Sequence, residues 1–260
     1  MKLAVTGKGG VGKTTVCALL AKALKASGRD VVAIDCDPDS NLAACMGYPH
    51  PETLKPLVAL KDLIEEKMGV RPGTTGGMFR LNPFVEDIPD RYAVDIEGIR
   101  VLVAGAIKKG GAGCYCPENA LIRALIAHLL VDEKTDLVLD MEAGVEHLSR
   151  GTVRTVDGLL IVVEPGRRSV ETAFRVRDLA ADLGIEQLSV VGNKIRSEHD
   201  KSSLMDLLVG MEFAGFLPYD GRLVDTEMRG ASVFGASPAA EQAILQIVAF
   251  LKNKRAASVG

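Results

Sequence analysis

The hydrophobic residues of this chain fall into short runs that alternate with longer amphipathic stretches. Several of the short runs are valine, isoleucine or leucine throughout, as strands buried on both faces of a sheet are. The predicted strands are Leu3–Thr6, Val31–Asp35, Ile99–Ala104, Leu137–Asp140, Leu159–Val163, Leu188–Val191 and Phe213–Leu217. The predicted helices are Lys13–Ser27, Glu118–Val131, Val170–Leu183, Lys201–Val209 and Pro238–Lys252. This alternation predicts an α/β fold with a mostly parallel, doubly wound central sheet flanked by helices.

Residues 48–98 interrupt the alternation. Six of the chain's 11 prolines lie in this Pro/Gly-rich segment, which also contains a possible helix near Leu57–Met68 and a short strand near Met78–Leu81. Two interpretations stay open, because proline-rich insertions are either surface elaborations of a sheet or surfaces that recognise a partner.

Composition narrows the class of protein. The chain has 260 residues, of which 47% are hydrophobic and 25% charged, so we expect residues 1–260 to form a single domain that needs no disulfide. The net charge of −3 argues against nucleic acid as a partner. No apolar run reaches the roughly 20 residues of a membrane span. The apolar part of the N-terminal segment is too short for a secretory signal. We therefore expect a cytoplasmic protein without a membrane partner.

A glycine-rich loop follows the first predicted strand and opens the first predicted helix. Its sequence, Gly7-Lys8-Gly9-Gly10-Val11-Gly12-Lys13-Thr14-Thr15, matches the phosphate-loop pattern in the required strand–loop–helix context. Backbone N–H groups from Gly9 to Gly12 and from the start of the helix through Thr15 would surround phosphate oxygens. Lys13 would reach the terminal phosphates and the Thr14 hydroxyl would bind Mg²⁺. The sequence thus predicts a P-loop NTPase.

Carboxylates follow two other predicted strands. Asp35, Asp37 and Asp39 come after the second strand, and Asp140 ends the fourth. Strand ends on this edge of a doubly wound sheet face the ligand crevice, where a carboxylate can orient water or contact Mg²⁺ through water. We assign the Mg²⁺ contact to Asp140. A helix-capping role for the acids near residue 37, and a plain strand-terminating role for Asp140, remain alternatives.

Two cysteines, Cys114 and Cys116, lie within a loop at residues 108–117 that contains Gly110, Gly111 and Gly113. Side chains at i and i+2 of an extended chain share a face, so both thiolates can point to one centre. Structural zinc sites and iron–sulfur clusters use four ligands, which a two-fold axis through the loop would supply from two chains. A redox thiol pair and inert cysteines are the alternatives. The remaining Cys17, Cys36 and Cys45 have no clear partner; we expect Cys17 in the core and leave an accessory metal role open for the other two.

The early lysine of the loop, Lys8, makes the phosphate loop resemble the deviant loop of the family containing the nitrogenase iron protein and the chromosome-partition and division-site ATPases. The resemblance covers nearly the whole chain and implies a homodimer. It implies that Lys8 reaches into the partner's nucleotide site and acts as an arginine finger does, although a solvated lysine is the simpler alternative. It also implies that Asp37 positions the attacking water, with Asp39 near the water shell of the metal.

The nucleotide base is predicted to be adenine. GTPases of related architecture place Asn-Lys-x-Asp after a late strand, whereas this chain has Asn193-Lys194-Ile195-Arg196, so the guanine-reading aspartate is missing. ATP is therefore the expected nucleotide. By family resemblance Asn193, Pro218 and Tyr219 line the adenine pocket.

The sequence of the cysteine loop indicates a particular group of ATPases within this family. Lys108-Lys109-Gly110-Gly111 before Cys114-Tyr115-Cys116, together with residues 144–151, resembles the accessory ATPases that mature nickel-containing carbon monoxide dehydrogenase and acetyl-CoA synthase. That resemblance implies Ni²⁺ or Zn²⁺ at a dimer interface and a nickel enzyme as client. An iron–sulfur scaffold or electron donor is the alternative function. A membrane- or DNA-positioning ATPase is a further one, although the apolar stripe near the C-terminus is expected to pack on the sheet. His147 is expected to make a structural contact.

Overall fold

The computed structural model describes residues 1–71, 79–105, 116–145, 148 and 156–259. Within these residues eight strands form one sheet in the order β3-β4-β2-β5-β1-β6-β7-β8. The β3–β4 pair is antiparallel and all other neighbouring pairs are parallel. The strands are β1 (Lys2–Gly7), β2 (Asp30–Asp35), β3 (Val94–Ile96), β4 (Ile99–Val103), β5 (Thr135–Asp140), β6 (Gly158–Val163), β7 (Leu188–Ile195) and β8 (Phe213–Pro218).

Helices cover both faces of this sheet, which confirms the predicted α/β, doubly wound, mostly parallel fold. They are α1 (Lys13–Ala26), α2 (Leu42–Cys45), α3 (Lys61–Met68), α4 (Ile88–Tyr92), α5 (Pro117–Val131), α6 (Arg167–Leu183), α7 (Glu198–Leu207), α8 (Gly221–Met228) and α9 (Pro238–Val259). Every predicted strand and helix outside residues 48–98 is present, with ends shifted by a few residues. The elements β3, α4 and α8, of three, five and eight residues, were not predicted from the sequence.

Alternating strand residues feed two separate hydrophobic cores. In β2, Val32 and Ile34 join the core under α3, α5, α6 and α7, whereas Val31 and Ala33 join the core under α1 and α9. The apolar stripe of α9 lies in the second core, with Ile247 fully buried. Lys254, near the end of α9, donates to the Leu188 carbonyl and the Ser189 hydroxyl and forms an ion pair with Glu212. The stripe therefore packs on the sheet, as the sequence predicts.

The Pro/Gly-rich segment is more deeply packed than a surface elaboration. Leu57, Ile64 and Met68 lie in the core beneath α5. The helix expected near Leu57–Met68 begins only at Lys61, because the backbone of Leu60, with a φ of −83° and a ψ of 89°, is not helical. The Val58 N–H, before this break, donates to the Ala104 carbonyl at 3.2 Å. Leu57–Ala59 form a separate 3₁₀ turn.

The prediction of a strand near Met78–Leu81 is wrong for residues 79–81, the part that the structure describes. Met78 lies outside the described residues, and residues 79–81 are in neither a strand nor a helix. The Arg80 N–H donates to the carbonyl of Met68 at 3.0 Å, so this stretch is attached to the end of α3 and not to the sheet.

Candidate nucleotide site

The predicted nucleotide-site residues follow the carboxyl ends of the parallel strands, which meet at one edge of the sheet. β1 leads into the phosphate loop, residues 7–15, and β2 and β5 end at Asp35 and Asp140. β1 lies between β5 and β6, and the chain builds one half of the sheet on each side of it. Doubly wound sheets bind ligands in the crevice at such a point.

Two glycines of the phosphate loop occupy positions that no other residue could take. Gly12 has a φ of 92°, and a Cβ atom there would lie 2.3 Å from Nδ2 of Asn193. Gly7 has a φ of 149°, and its Cβ would lie 2.4 Å from the carbonyl oxygen of Val162. Glycine alone combines these dihedrals with so close an approach. The phosphate loop therefore lies directly against β6 at Gly7 and against β7 at Gly12, just before α1 starts at Lys13.

Lys13 and Asp37, two of the predicted catalytic residues, lie together. Lys13 is 6% exposed, and its Nζ lies 3.8 Å from Oδ2 of Asp37. This separation is that of an ion pair rather than a hydrogen bond, so Asp37 does not occupy a donor of Lys13. Lys8, the third, is half-buried on the outer part of the loop, where its carbonyl accepts from the Val11 N–H at 3.4 Å.

Asp35 organises the loop that carries Asp37. Its carboxylate is fully buried and accepts the N–H groups of Asp37 at 3.0 Å and of Leu42 at 2.8 Å. Burial raises the pKa of Asp35 to about 7, and the nearby charge of Asp140 adds to the increase. The capping alternative thus applies to Asp35, which binds the first N–H of α2, and not to Asp37 or Asp39. Asp35 is one of the acids expected at this sheet edge, but its structural role was not predicted from the sequence.

The surroundings of the Asp140 carboxylate suit a ligand of a magnesium ion. It is fully buried, and within the described residues no hydrogen bond of normal geometry reaches either carboxylate oxygen. Burial raises the pKa of Asp140 to about 6, while the neighbouring Thr14 hydroxyl and Lys13 oppose the increase. Buried carboxylate oxygens that accept no hydrogen bond are suitable ligands for a hard cation such as Mg²⁺. Asp39, the third predicted contributor, is exposed, and its N–H donates to Oδ1 of Asp37 at 3.1 Å.

The stretch that follows β5 is fastened to β1. The Thr6 hydroxyl lies 2.6 Å from the Glu142 carbonyl and 3.0 Å from that of Gly144, and it accepts the Gly144 N–H at 3.1 Å. Thr6 is fully buried and immediately precedes the phosphate loop. Residues 142–144 therefore have a fixed anchor one residue from that loop.

Two adjacent side chains near the carboxyl end of β7 contact the phosphate loop. Nδ2 of Asn193 donates to the Val11 carbonyl at 2.8 Å, and Nζ of Lys194 donates to the Gly10 carbonyl at 2.6 Å. Lys194 also forms an ion pair with Glu164 at 2.9 Å. Lys194 and Glu164 were not predicted to belong to the site, although the Asn-Lys pair at the end of a strand was a usable signal for Lys194.

The residues predicted to line the adenine pocket come together in part. The Tyr219 N–H donates to the Ile195 carbonyl at 2.8 Å, which joins the loop after β8 to the end of β7. Pro218 is half-buried and Tyr219 is 52% exposed. The Asn193 amide donates to the phosphate loop and its oxygen accepts the Lys194 N–H, so a place for Asn193 in the adenine pocket stays a prediction.

The cysteines have different settings. Cys114 lies outside the described residues, as does His147, and Cys116 is half-buried directly before α5. Cys17 and Cys36 are fully buried, and burial raises the pKa of each thiol well above its ordinary value. The pKa of the Cys45 thiol is raised to about 12 for the same reason. Neutral thiols are poor metal ligands, and within the described ranges no three His, Cys, Asp or Glu side chains are grouped to hold a metal.

Comparison with known proteins decides the family. Residues 2–233 match the model of the CobQ/CobB/MinD/ParA nucleotide binding domain. The chain belongs to this family. It is 42% identical to the carbon monoxide dehydrogenase accessory protein CooC of Rhodospirillum rubrum, over 98% of this chain and 97% of CooC. It is 43% identical to an ATP-binding protein of Methanocaldococcus jannaschii, over 97% and 99% of the two chains. The predicted resemblance and the predicted ATPase class are thereby confirmed.

Solved structures of the family share the fold. The cell division protein MinD of Aquifex aeolicus, in complex with MinC, superposes with a TM-score of 0.67 at 23% identity, covering 97% of this chain and 96% of that one. MinD of Pyrococcus horikoshii, solved with Mg-ADP, gives a TM-score of 0.62 at 19% identity, over 95% and 93% of the two chains. Among the described helices of the present ATPase, none has the length and apolar composition needed to cross a bilayer.

Proposed function

We propose that this ATPase works as a nucleotide-switched homodimer that binds a nickel or zinc ion and assists nickel insertion into a carbon monoxide dehydrogenase or an acetyl-CoA synthase. The observation that carries the proposal is the 42% identity to CooC, named a carbon monoxide dehydrogenase accessory protein, across 98% of the chain. The Cys114-Tyr115-Cys116 sequence adds a pair of ligands suited to such a metal. We place this activity in the cytoplasm.

ATP binds with its phosphates at the phosphate loop. Backbone N–H groups of Gly9, Gly10, Val11, Gly12 and the first turn of α1 through Thr15 face the phosphate oxygens, and Lys13 pairs with the terminal phosphates. Pro218, Tyr219 and Asn193 border the base. The buried position of Lys13 and the contacts of Val11 and Gly12 with β7 support this placement.

The proposed Mg²⁺ site consists of the Thr14 hydroxyl, Asp140 and, through water, Asp39. When bound, Mg²⁺ neutralises charge on the phosphates during hydrolysis. Asp140 is buried, and its carboxylate oxygens have no hydrogen-bond partner of normal geometry among the described residues, which supports its part in this set. Asp39 is exposed, so it belongs to the outer water shell if it contributes.

Asp37 orients the attacking water, and Lys8 acts at the nucleotide site of the other protomer. The contact between Asp37 and the buried Asp35 supports the first role, because it holds the Asp37 backbone beside Lys13. The second role follows from the family resemblance of the loop, in which a second positive charge compensates the charge that develops on the leaving phosphates.

The metal ion is cargo held by two chains. Cys114 and Cys116 of both protomers supply four sulfur donors around the two-fold axis. In sequence, the cysteine loop lies between Ala104, whose N–H donates to the Asp35 carbonyl at 2.8 Å, and α5, which starts at Pro117. The short path from Asp35 to this loop supports a coupling between nucleotide state and metal handling.

Metal stoichiometry tests the cysteine site. The purified protein is loaded anaerobically with Ni²⁺ or Zn²⁺, and metal and molecular mass are measured together. We expect about one ion per two chains, lost in the Cys114→Ser/Cys116→Ser variant and retained in Cys45→Ser. A brown, cysteine-dependent iron–sulfur cluster on anaerobic reconstitution would favour the electron-donor function. Unchanged nickel and zinc binding by the double variant would refute the site.

Client activation tests the function. An apo form of carbon monoxide dehydrogenase or acetyl-CoA synthase is incubated with Ni²⁺, ATP and this protein, and enzyme activity is followed. We expect activation that requires ATP and fails with Lys13→Ala and with the double cysteine variant. Equal activation with either variant would contradict the proposed role. Activation of only one of the two enzymes identifies the client.

A further inference from the structure

We propose that Lys194 is a positioning residue for the phosphate loop: it holds the Gly10 carbonyl outward, so that the N–H groups of the loop face the phosphates. The inference deepens the nucleotide site proposed above and rests on that site being residues 7–15. It concerns a side chain of β7, outside the phosphate loop.

The contacts come in a matched pair. Adjacent residues of β7, Asn193 and Lys194, donate to adjacent carbonyls of the loop, Val11 at 2.8 Å and Gly10 at 2.6 Å. Gly12 leaves the space that Asn193 occupies, since a Cβ at Gly12 would lie 2.3 Å from Nδ2. The loop is therefore held at two consecutive peptide groups from the side of β7.

The Lys194 side chain is itself fixed at both ends. Its backbone has a φ of 58°, in the left-handed region that side-chain-bearing residues seldom adopt, and its N–H donates to Oδ1 of Asn193 at 2.8 Å. Its Nζ is paired with Glu164 at 2.9 Å, and the Glu164 N–H donates to the Ser169 hydroxyl. Uncommon backbone dihedrals maintained by such contacts are typical of functional positions.

The physical reason concerns the orientation of peptide groups. A phosphate binds where successive N–H groups point inward, and a carbonyl that turned inward would repel the anion. Gly10 is exposed and glycine has wide conformational freedom, so the peptide group that carries its carbonyl can turn. A charged donor on its carbonyl oxygen makes that turn costly before any nucleotide arrives, which is preorganisation of the site.

The test compares Lys194→Met with Lys194→Arg, Glu164→Gln and the control Lys201→Met, which alters an exposed ion pair with Glu198 on α7. Dissociation constants are measured for ADP and for tripolyphosphate, which has no base or ribose. Lys194→Met is expected to weaken both about 10-fold. Lys194→Arg should recover part of the loss, Glu164→Gln should cause a smaller loss, and Lys201→Met should cause none.

Three results would overturn the inference. One is binding by Lys194→Met within twofold of the unaltered protein. Another is a loss confined to ADP, which would place Lys194 against the ribose or base. The last is a drop in the unfolding temperature of the nucleotide-free Lys194→Met protein of more than about 5 °C, which indicates general destabilisation. Lys13→Ala separates the two proposals, because retention of tripolyphosphate binding there refutes the phosphate site itself.

Discussion

Asp35 and Asp140 are register partners at the ends of the neighbouring strands β2 and β5, and both are fully buried. The Cys36 N–H joins the two strands by donating to the Asp140 carbonyl at 2.9 Å. Asp35 uses its carboxylate to hold Asp37 and Leu42, whereas the Asp140 oxygens receive no hydrogen bond of normal geometry from the described residues. One acid thus supports the structure, and the other remains available to a cation.

Replacement of Asp140 should stabilise the protein while it weakens the site. Burial raises the pKa of Asp140 to about 6, so the folded state binds more protons than the unfolded state between about pH 4 and 6. The free energy of unfolding therefore falls as pH rises through this window. Asparagine does not ionise, so Asp140→Asn removes this pH-dependent loss of stability. The variant's free energy of unfolding should exceed that of the unaltered protein by a margin that grows from near zero at pH 4 to on the order of 1–3 kcal/mol at pH 7.

Chemical denaturation in EDTA, without nucleotide, measures this difference, and Asp62→Asn on the exposed face of α3 is the control. The same Asp140→Asn protein should bind ATP more weakly in Mg²⁺ but not in EDTA. A variant less stable than the unaltered protein at pH 7 would contradict the argument.

Asp37→Asn should separate nucleotide binding from hydrolysis. The asparagine keeps an oxygen that can accept the Asp39 N–H, so the loop should hold its shape. We expect the dissociation constant for ATP to change little and kcat to fall about 100-fold or more. Phosphate release and fluorescent-nucleotide binding measure the two quantities. Asp39→Asn is the matched control, and an equal fall in kcat there would remove the distinction between the two acids.

Gly12→Ala should abolish nucleotide binding, whereas Gly28→Ala should not. Both glycines have left-handed backbones, with φ of 92° and 78°, but only Gly12 faces a neighbour, Nδ2 of Asn193 at 2.3 Å. Gly28 has open space around it, so its replacement should cost only about 1 kcal/mol of backbone strain. Calorimetric titration with ADP compares them. Normal binding by Gly12→Ala would mean that Asn193 can move without disturbing the loop.

Thr6→Val should impair hydrolysis more than binding. Valine keeps the shape of the buried residue but loses the hydroxyl that holds Glu142 and Gly144. We expect a loss of about 1 kcal/mol in unfolding free energy and a reduced kcat with a nearly unchanged ATP dissociation constant. Thr172→Val is a control on α6, where the hydroxyl donates to the Arg168 carbonyl within the helix and accepts from Arg175. It should keep full activity.

Much of the fold was predictable because its signals are local. The buried strands are apolar throughout, and the glycine-rich loop between β1 and α1 specifies its own conformation. The helix near Leu57–Met68 was wrong in its first turn: the backbone of Leu60 is not helical, and the Val58 N–H before it bonds to Ala104, 46 residues away in sequence. No local pattern reports such a contact.

By itself, the sequence determined the order of strands and helices, the phosphate loop, the acids at strand ends and the family resemblance. Only the tertiary structure decided which of those acids is hydrogen-bonded and which is not, because Asp35 and Asp140 become neighbours only when β2 and β5 pair. It also brought Lys194 to Gly10 across 184 positions of sequence. Spacing along a chain reports contacts within one helix or strand, whereas contacts between loops depend on how the whole sheet is ordered.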